Sequence, residues 1–391
     1  MSQTANGMHK ERTTCRRSGA RNPPRTTEFT CDGPFADDDD PMQRDRIPEL
    51  DLLRFAAAVG VVLFHATTWP AQPNLLTHVS TYGSMGVPLF FMISGFVILM
   101  TAQNRSAVEF VNSRIARLYP SFWIAVLLSS LALTVLLREP PSPALIAANL
   151  TMQPHALDQP YLDMVYWTLV VEMKFYALTW LMIVTRQMKR VESLLTLWLA
   201  ATAFAVWVPI PHWLDAVLMP TYAALFTGGC FLYLIRSRGV NARRLIMVAV
   251  SVALSIYWTL QYQDKYTHST ALGTQLTVSA IILGMSIVLL LLALRWWSLP
   301  RARLWFWLGC LTYPLYLTHA KAGNSVFRRL GGDEWTRMWL VLALVVFVSI
   351  VMAAVVERRL CPALHKLLDR TAHRLLEKVG RRQEHRATAM R

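Results

Sequence analysis

The sequence predicts an all-α fold, a polytopic integral membrane helix bundle of about ten transmembrane helices with both termini in the cytoplasm. Three observations predict it. Of the 391 residues, 54% are hydrophobic and only 16% are charged. Apolar stretches of about 20 residues, the length that crosses a bilayer core as helix, recur from residue 49 to residue 356. Lys and Arg collect in alternate connectors, which the positive-inside rule places in the cytoplasm. The fourteen Trp and twelve Tyr suit interfacial belts. A net charge of +15 would raise nucleic acid as a partner on a soluble chain. Here the basic residues lie in short connectors and tails, so topology explains them and the bilayer, not nucleic acid, is the expected partner. Cysteines at 15, 31, 230, 310 and 361 have no paired spacing and read as free thiols. No metal cluster or phosphate-loop motif is present.

Residues 1–46 are polar, include Asp37-Asp38-Asp39-Asp40 and have no apolar core behind the early basic residues. They are expected to be a disordered cytoplasmic tail rather than a signal peptide. The membrane domain is placed at 47–356. Its first span, 49–69, carries Arg54 and His65. Eleven helical steps make about three turns, so the two side chains share a face and differ in height by about 16 Å. Ionisable groups within a bilayer are costly and line cavities or pathways.

The second span, 84–102, contains Gly83, Gly86, Pro88, Ser94 and Gly95. Small residues permit close helix approach, and Ser94 can hydrogen-bond a ligand. Before the third span, 118–137, stands Arg114-Ile-Ala-Arg117-Leu-Tyr-Pro120. Two guanidiniums three residues apart can clamp phosphate oxygens; spacing alone equally suits topology-setting arginines at a helix end. The fourth span, 166–185, carries Trp167 and Glu172. The fifth to eighth, 193–209, 216–235, 245–260 and 272–294, are apolar and separated by basic connectors such as Arg236, Arg238, Arg243 and Arg244. The ninth, 304–322, carries Tyr313-Pro-Leu-Tyr316 and His319, and the tenth is 337–356. Residues 357–391 are basic and partly amphipathic, expected as a cytoplasmic tail lying on the anionic inner leaflet.

The alternating topology puts His65, Glu172 and His319 in the outer half of three different spans. A carboxylate beside an imidazole can fix its tautomer, so His65 and Glu172 are the expected catalytic pair. The same groups could instead relay protons in a coupled transporter, although the repeated halves typical of transporters are not evident.

Taken together and in order, Arg54 and His65 with Asp51 before them, Gly86 to Phe96, Arg114 to Pro120, Trp167 to Glu172 with Phe175-Tyr176, and Tyr313 to His319 resemble membrane acyltransferase family 3, whose members include exopolysaccharide and O-antigen O-acetyltransferases. The resemblance covers about residues 47–360. It implies transfer of an acyl group, usually acetyl, from cytoplasmic acyl-coenzyme A (acetyl-CoA) to a sugar hydroxyl by a multi-pass protein of the cell inner membrane. It implies that Arg54 and His65 are essential and that Arg114 and Arg117 meet the coenzyme A phosphates. Arg54 is grouped with that cofactor site. Ser94, Trp167 and His319 are expected on the substrate side. The partner implied is a carbohydrate acceptor, either a polysaccharide or a lipid-linked glycan; a small glycosylated molecule such as a macrolide is the alternative. The resemblance further implies the short, single-module type, without an added esterase-like domain. Leu52-Leu53 stands where many members have a glycine. A covalent acyl-histidine relay is the alternative to direct base catalysis. The sequence does not specify an oligomeric state.

Overall fold

A computed structural model describes residues 46–67, 75–103, 105–262, 270–300, 302–372 and 374. The expectations for residues 1–45 and for the end of the C-terminal tail lie outside the described residues. Among the described residues there is no strand, and each predicted apolar stretch is mostly helical, with 193–209 leaving helix after Phe204.

α1, Pro48–Ala66, opens with Pro at its first position and has Glu49 and Asp51 in its first turn. That placement suits the missing proline N–H and the positive end of the helix dipole. α2, Leu75–Ser80, passes through a 3₁₀ turn, Thr81–Met85, into α3, Gly86–Ala102. α4, Ala107–Ala132, starts with a reciprocal capping box between Ser106 and Glu109 and ends in a π-helical stretch, Leu133–Leu137. After α5, Pro143–Leu150, the chain enters α6, Trp167–Val184. α7, Val191–Phe204, α8, His212–Leu218, α9, Pro220–Arg238, α10, Ala242–Leu260, and α11, Leu272–Ala293, follow. α12, Arg303–Thr318, α13, Lys321–Arg329, and α14, Glu334–Met352, complete the bundle.

Among the described residues, seven helical segments are long and apolar enough to cross a membrane: Leu76–Ala102, Ala107–Leu137, Met164–Val184, His212–Arg238, Ala242–Leu260, Leu272–Ala293 and Glu334–Ala372. The remaining predicted spans fall short for visible reasons. α1 carries Glu49, Asp51 and Arg54, while α7 and α12 have only 14 and 16 residues. Large apolar side chains point outward, among them Leu131, Val135, Leu340 and Phe347. That is the pattern of a protein solvated by lipid rather than water.

Two boundaries differ from expectation. The third helix begins at Ala107, not near 118, because Ser106 and Glu109 cap it there. Arg114 and Arg117 therefore sit inside a helix instead of in a connector. At the other end, α14 runs on through π-helical Ala353–Leu360 to Ala372 as one rod. The boundary at 356–357 thus falls inside a continuous helix, and Glu357 is buried rather than part of a solvated tail.

The bundle closes where glycines let backbones meet. α3 packs on α9 at Gly95 and Gly229, and a Cβ on Gly229 would lie 1.9 Å from the Met92 carbonyl oxygen. α1 meets the 3₁₀ turn at Gly60 and Gly83 in the same way. Hydrogen-bonded cations tie the arginine-rich connectors together. Arg244 and Arg238 share Glu192 at 2.7 and 3.2 Å, and Arg236 donates to the Leu292 carbonyl at 2.7 Å. These contacts define an arginine-rich end of the bundle. His65 lies toward the opposite end.

Candidate active site

At the far end of α1 the His65 ring stands 5.2 Å, centroid to centroid, from the ring of His319. His319 is fully buried and follows directly on α12. Its Nδ1 lies 2.8 Å from the Tyr316 carbonyl and 3.3 Å from that of Leu315. Carbonyls only accept, so Nδ1 carries the hydrogen of the neutral ring and Nε2 keeps its lone pair. That Nε2 is buried without a hydrogen-bond partner. The pair is thus a half-buried imidazole beside one whose tautomer the backbone fixes.

Asp163 holds this corner in place. It is fully buried; Oδ2 accepts the Lys321 N–H at 2.7 Å and Oδ1 the Val165 N–H at 3.2 Å. It thereby pins the turn after His319 to the start of α6. Burial pushes its carboxyl up to about 6, against the pull of those two N–H donors. Only above that pH is it ionised and able to accept both bonds through bare oxygens. Thr168 and Tyr316 add a second pin, 2.8 Å between hydroxyls. We expect Asp163→Ala to leave two buried N–H groups without acceptors, about 1–3 kcal/mol each. The check is the thermal midpoint of the purified protein, which should fall clearly; an unchanged midpoint contradicts the pin.

These two pins also fix where Glu172 lies. Lys321 is level with Asp163 and Tyr316 with Thr168, so His319 is level with the residues just before α6. Glu172 is then about 10 Å further toward the arginine-rich end, by helix rise. The expected match in depth between Glu172 and the two histidines is therefore not present. Glu172 instead accepts from Ser94 and from the Tyr176 hydroxyl, the latter at 2.7 Å. Ser94 accordingly binds Glu172 and is absent from the cavity that His65 lines. The depth match that favoured a proton relay goes with it.

The arginine-rich half holds a second constellation. The Arg114 guanidinium lies 5.6 Å from the Phe110 ring centre and 5.7 Å from that of Tyr176. One of its terminal nitrogens donates to Ser113 Oγ at 3.2 Å, while its Nε is buried without a partner. Arg117 stands 3.9 Å from Glu357, whose other oxygen accepts from Ser121 at 2.6 Å. The Arg117 side chain nevertheless keeps 37% of its surface exposed. Arg54 is within electrostatic reach of Arg117, Asp51, Glu172 and Tyr176. Gly309 makes room for Asp51, whose carboxylate a Cβ there would meet at 2.5 Å. Three guanidiniums from α1 and α4 thus gather among Asp51, Glu172 and Glu357. Glu357 was not legible as part of this group, since composition alone assigns it to a basic tail.

A cavity of about 310 Å³ opens beside His65. Trp167, Tyr222, Trp258 and Tyr316 are among its walls. Trp167 is therefore placed with His65, as Ser94 is not. Among the described residues, no group of three or more His, Cys, Asp or Glu side chains could hold a metal ion.

A family model described as an acyltransferase domain matches residues 47–356. Over 190 residues the chain is 28% identical to nodulation protein 10 of Rhizobium leguminosarum bv. viciae, covering 41% of this chain and 50% of that protein. Over 104 residues it is 32% identical to acyltransferase MdmB of Streptomyces mycarofaciens, covering 25% and 27%. Over 66 residues it is 38% identical to the exopolysaccharide production protein ExoZ of Rhizobium meliloti (strain 1021), covering 16% and 19%. The chain thus spans half or less of the length of each of these relatives. No solved structure matches it.

Proposed function

This chain belongs to the acyltransferase domain family, and we propose that it is a multi-pass membrane O-acyltransferase that moves an acyl group, acetyl in the simplest case, from acyl-coenzyme A to a hydroxyl of an exported or cell-surface carbohydrate. The observation that carries the reading is a single helix. α1 brings Arg54 into the arginine cluster and His65 against His319, about 16 Å apart along its axis. The arginine-rich end is the cytoplasmic one by the positive-inside rule, in the inner membrane of the cell. The exposed Leu360 and Leu367 suit contact of the end of that same rod with lipid at the inner leaflet.

Coenzyme A would lie at the arginine-rich end, its phosphates on Arg114 and Arg117, with Arg54 completing the positive field. Arg114 is poised for this by the aromatic rings that hold its plane, and its unpartnered Nε is a donor in search of an acceptor. Glu172 orients Tyr176 there and balances Arg54; it does not orient His65. The thioester reaches along α1 to the histidine pair. His65 removes the proton of the acceptor hydroxyl, whose oxygen attacks the thioester carbonyl. The carbon–sulfur bond breaks, and the thiolate leaves and takes up a proton as coenzyme A thiol. His319, held by the backbone in one tautomer, stands behind His65 as the lone pair that can share or steady its proton. If His65 itself carries the acyl group, enzyme-bound label accumulates in the absence of acceptor.

The acceptor is proposed as a polysaccharide or lipid-linked glycan. A glycosylated small molecule is the second reading, because the cavity beside His65 admits a short glycoside as readily as a chain end. Mass analysis of surface glycans with and without the gene separates them: a missing acyl increment supports the first. For the donor site, Arg114→Ala and Arg117→Ala should each weaken coenzyme A binding about 10- to 100-fold, the value of hydrogen bonds to a charged group. Unchanged affinity in both variants removes the arginine clamp.

A further inference from the structure

We infer that Arg105 and Ser113 join Arg114 in a subsite for the 3′-phosphate of the donor, so that the chain selects free acyl-coenzyme A over acyl donors that lack this phosphate. The inference rests on the donor reading proposed above and names the part of the donor that this end of the bundle distinguishes.

Arg105 stands just before α4, outside the Arg114–Arg117 pair. Its Nη1 donates to Ser113 Oγ at 2.5 Å, and a terminal nitrogen of Arg114 donates to the same oxygen at 3.2 Å. Two cations therefore share one neutral acceptor. Like charges held this close repel each other, and among the described residues no Asp or Glu forms an ion pair with either. The nearby carboxylates are committed elsewhere. Glu109 accepts the Ser106 N–H at 2.9 Å, Glu357 faces Arg117, and Glu172 accepts from Ser94 and Tyr176. A hydroxyl has two lone pairs and one hydrogen. The guanidiniums occupy both lone pairs of Ser113, which leaves its O–H as a third donor. Arg105, Ser113 and Arg114 are all half-buried, so they are held in place and still reachable.

This set of two cations and a hydroxyl matches a phosphate monoester. Such a group carries about −1.5 to −2 charge at pH 7 and three strong acceptor oxygens. Each phosphorus of the coenzyme A diphosphate carries only one negative charge and is served by one guanidinium. Coenzyme A has a single monoester, the 3′-phosphate of its ribose, at the end of the molecule remote from the thioester. The order in the protein is the same. Arg105 and Ser113 stand at the start of α4, Arg117 lies about one helical turn beyond Arg114, and His65 is at the other end of the bundle. An acyl group on the phosphopantetheine arm of a carrier protein has no 3′-phosphate and leaves Arg105 unmatched.

The test uses the full-length protein in phosphatidylcholine nanodiscs, titrated calorimetrically with coenzyme A and with 3′-dephospho-coenzyme A. The wild type should bind coenzyme A about 10- to 100-fold more tightly, the value of hydrogen bonds to a charged group. Arg105→Gln should abolish most of that ratio by weakening coenzyme A alone, and Arg105→Lys should restore part of it. Ser113→Ala should lower the ratio about 2- to 10-fold. A merely structural role for Arg105 at the start of α4 weakens both ligands equally and overturns the subsite. So does equal wild-type affinity for the two ligands, or a ratio unchanged in Arg105→Gln. If the variants do not fold, the wild-type ratio decides alone. Phosphatidic acid also carries a phosphate monoester, so a second set of discs contains it. Loss of the coenzyme A preference in those discs assigns the pair to a lipid head group and overturns the donor subsite. Equal binding of the two ligands leaves the proposed function standing; failure of the wild type to bind either ligand removes the donor reading together with the subsite.

Discussion

His65→Ala is expected to lower acyl transfer by about 10²- to 10⁴-fold, the usual contribution of a positioned general base. Coenzyme A affinity should not change with it, because the arginine cluster lies about 16 Å away along α1. That split between turnover and donor binding separates loss of a base from loss of the fold. The neighbouring ring sharpens the expectation. His319 sits 5.2 Å from His65, yet its Nδ1 is committed to the Tyr316 carbonyl. It is fully buried, whereas His65 lines the cavity. His319 keeps its Nε2 lone pair but is buried and lines no part of the cavity, so turnover close to the wild type should not survive removal of His65. Near-normal turnover of His65→Ala at equal membrane expression contradicts the assignment.

The second large effect is structural. Gly229→Ala places a methyl group 1.9 Å from the Met92 carbonyl oxygen and 2.9 Å from the Phe96 nitrogen. Those are backbone atoms of α3, so no rotamer change relieves the clash and the helices must part. A Cβ on Gly95 would likewise lie 2.1 Å from the Phe226 carbonyl oxygen, so the same seam is tight from both sides. Without a hydrophobic force between helices in lipid, close packing of this kind is much of what holds them together. Overpacking of a well-filled core costs about 1–3 kcal/mol even where side chains can yield, and here they cannot. The expected result is little or no folded protein after extraction. Gly284→Ala is the control, since nothing lies within 4 Å of its position on α11. It should be neutral or slightly stabilising, because alanine favours helix over glycine. Equal yield and thermal midpoint for Gly229→Ala and the wild type would contradict the seam.

The contrast between Arg54–His65 and Glu172 shows which features of the site are legible from sequence. The phase of Arg54 and His65 depends on one uninterrupted helix, and local periodicity is enough to read it. The depth of Glu172 depends on how α6 is set against α12. Asp163–Lys321 and Thr168–Tyr316 decide that, pairs separated by 158 and 148 positions, and no local pattern encodes them. The start of α4 is set by the capping pair Ser106 and Glu109, which lies outside the apolar run from which the span was read. Glu357 was hidden by composition: a basic, polar-looking segment proved to continue a membrane helix, with its one buried carboxylate turned to Arg117.

The claim that unites these parts is vectorial: the donor binds at the arginine-rich end of α1 and the acceptor hydroxyl meets His65 at the other. Proteoliposomes carrying the purified protein in one orientation test it directly. Acetyl-CoA labelled in the acetyl group is supplied on the arginine-rich face, and a neutral glycan on the opposite face. The account predicts base-labile label on the glycan, and none when donor and acceptor exchange sides. Label transferred only when both are on the same face, or no transfer in any arrangement, would contradict it.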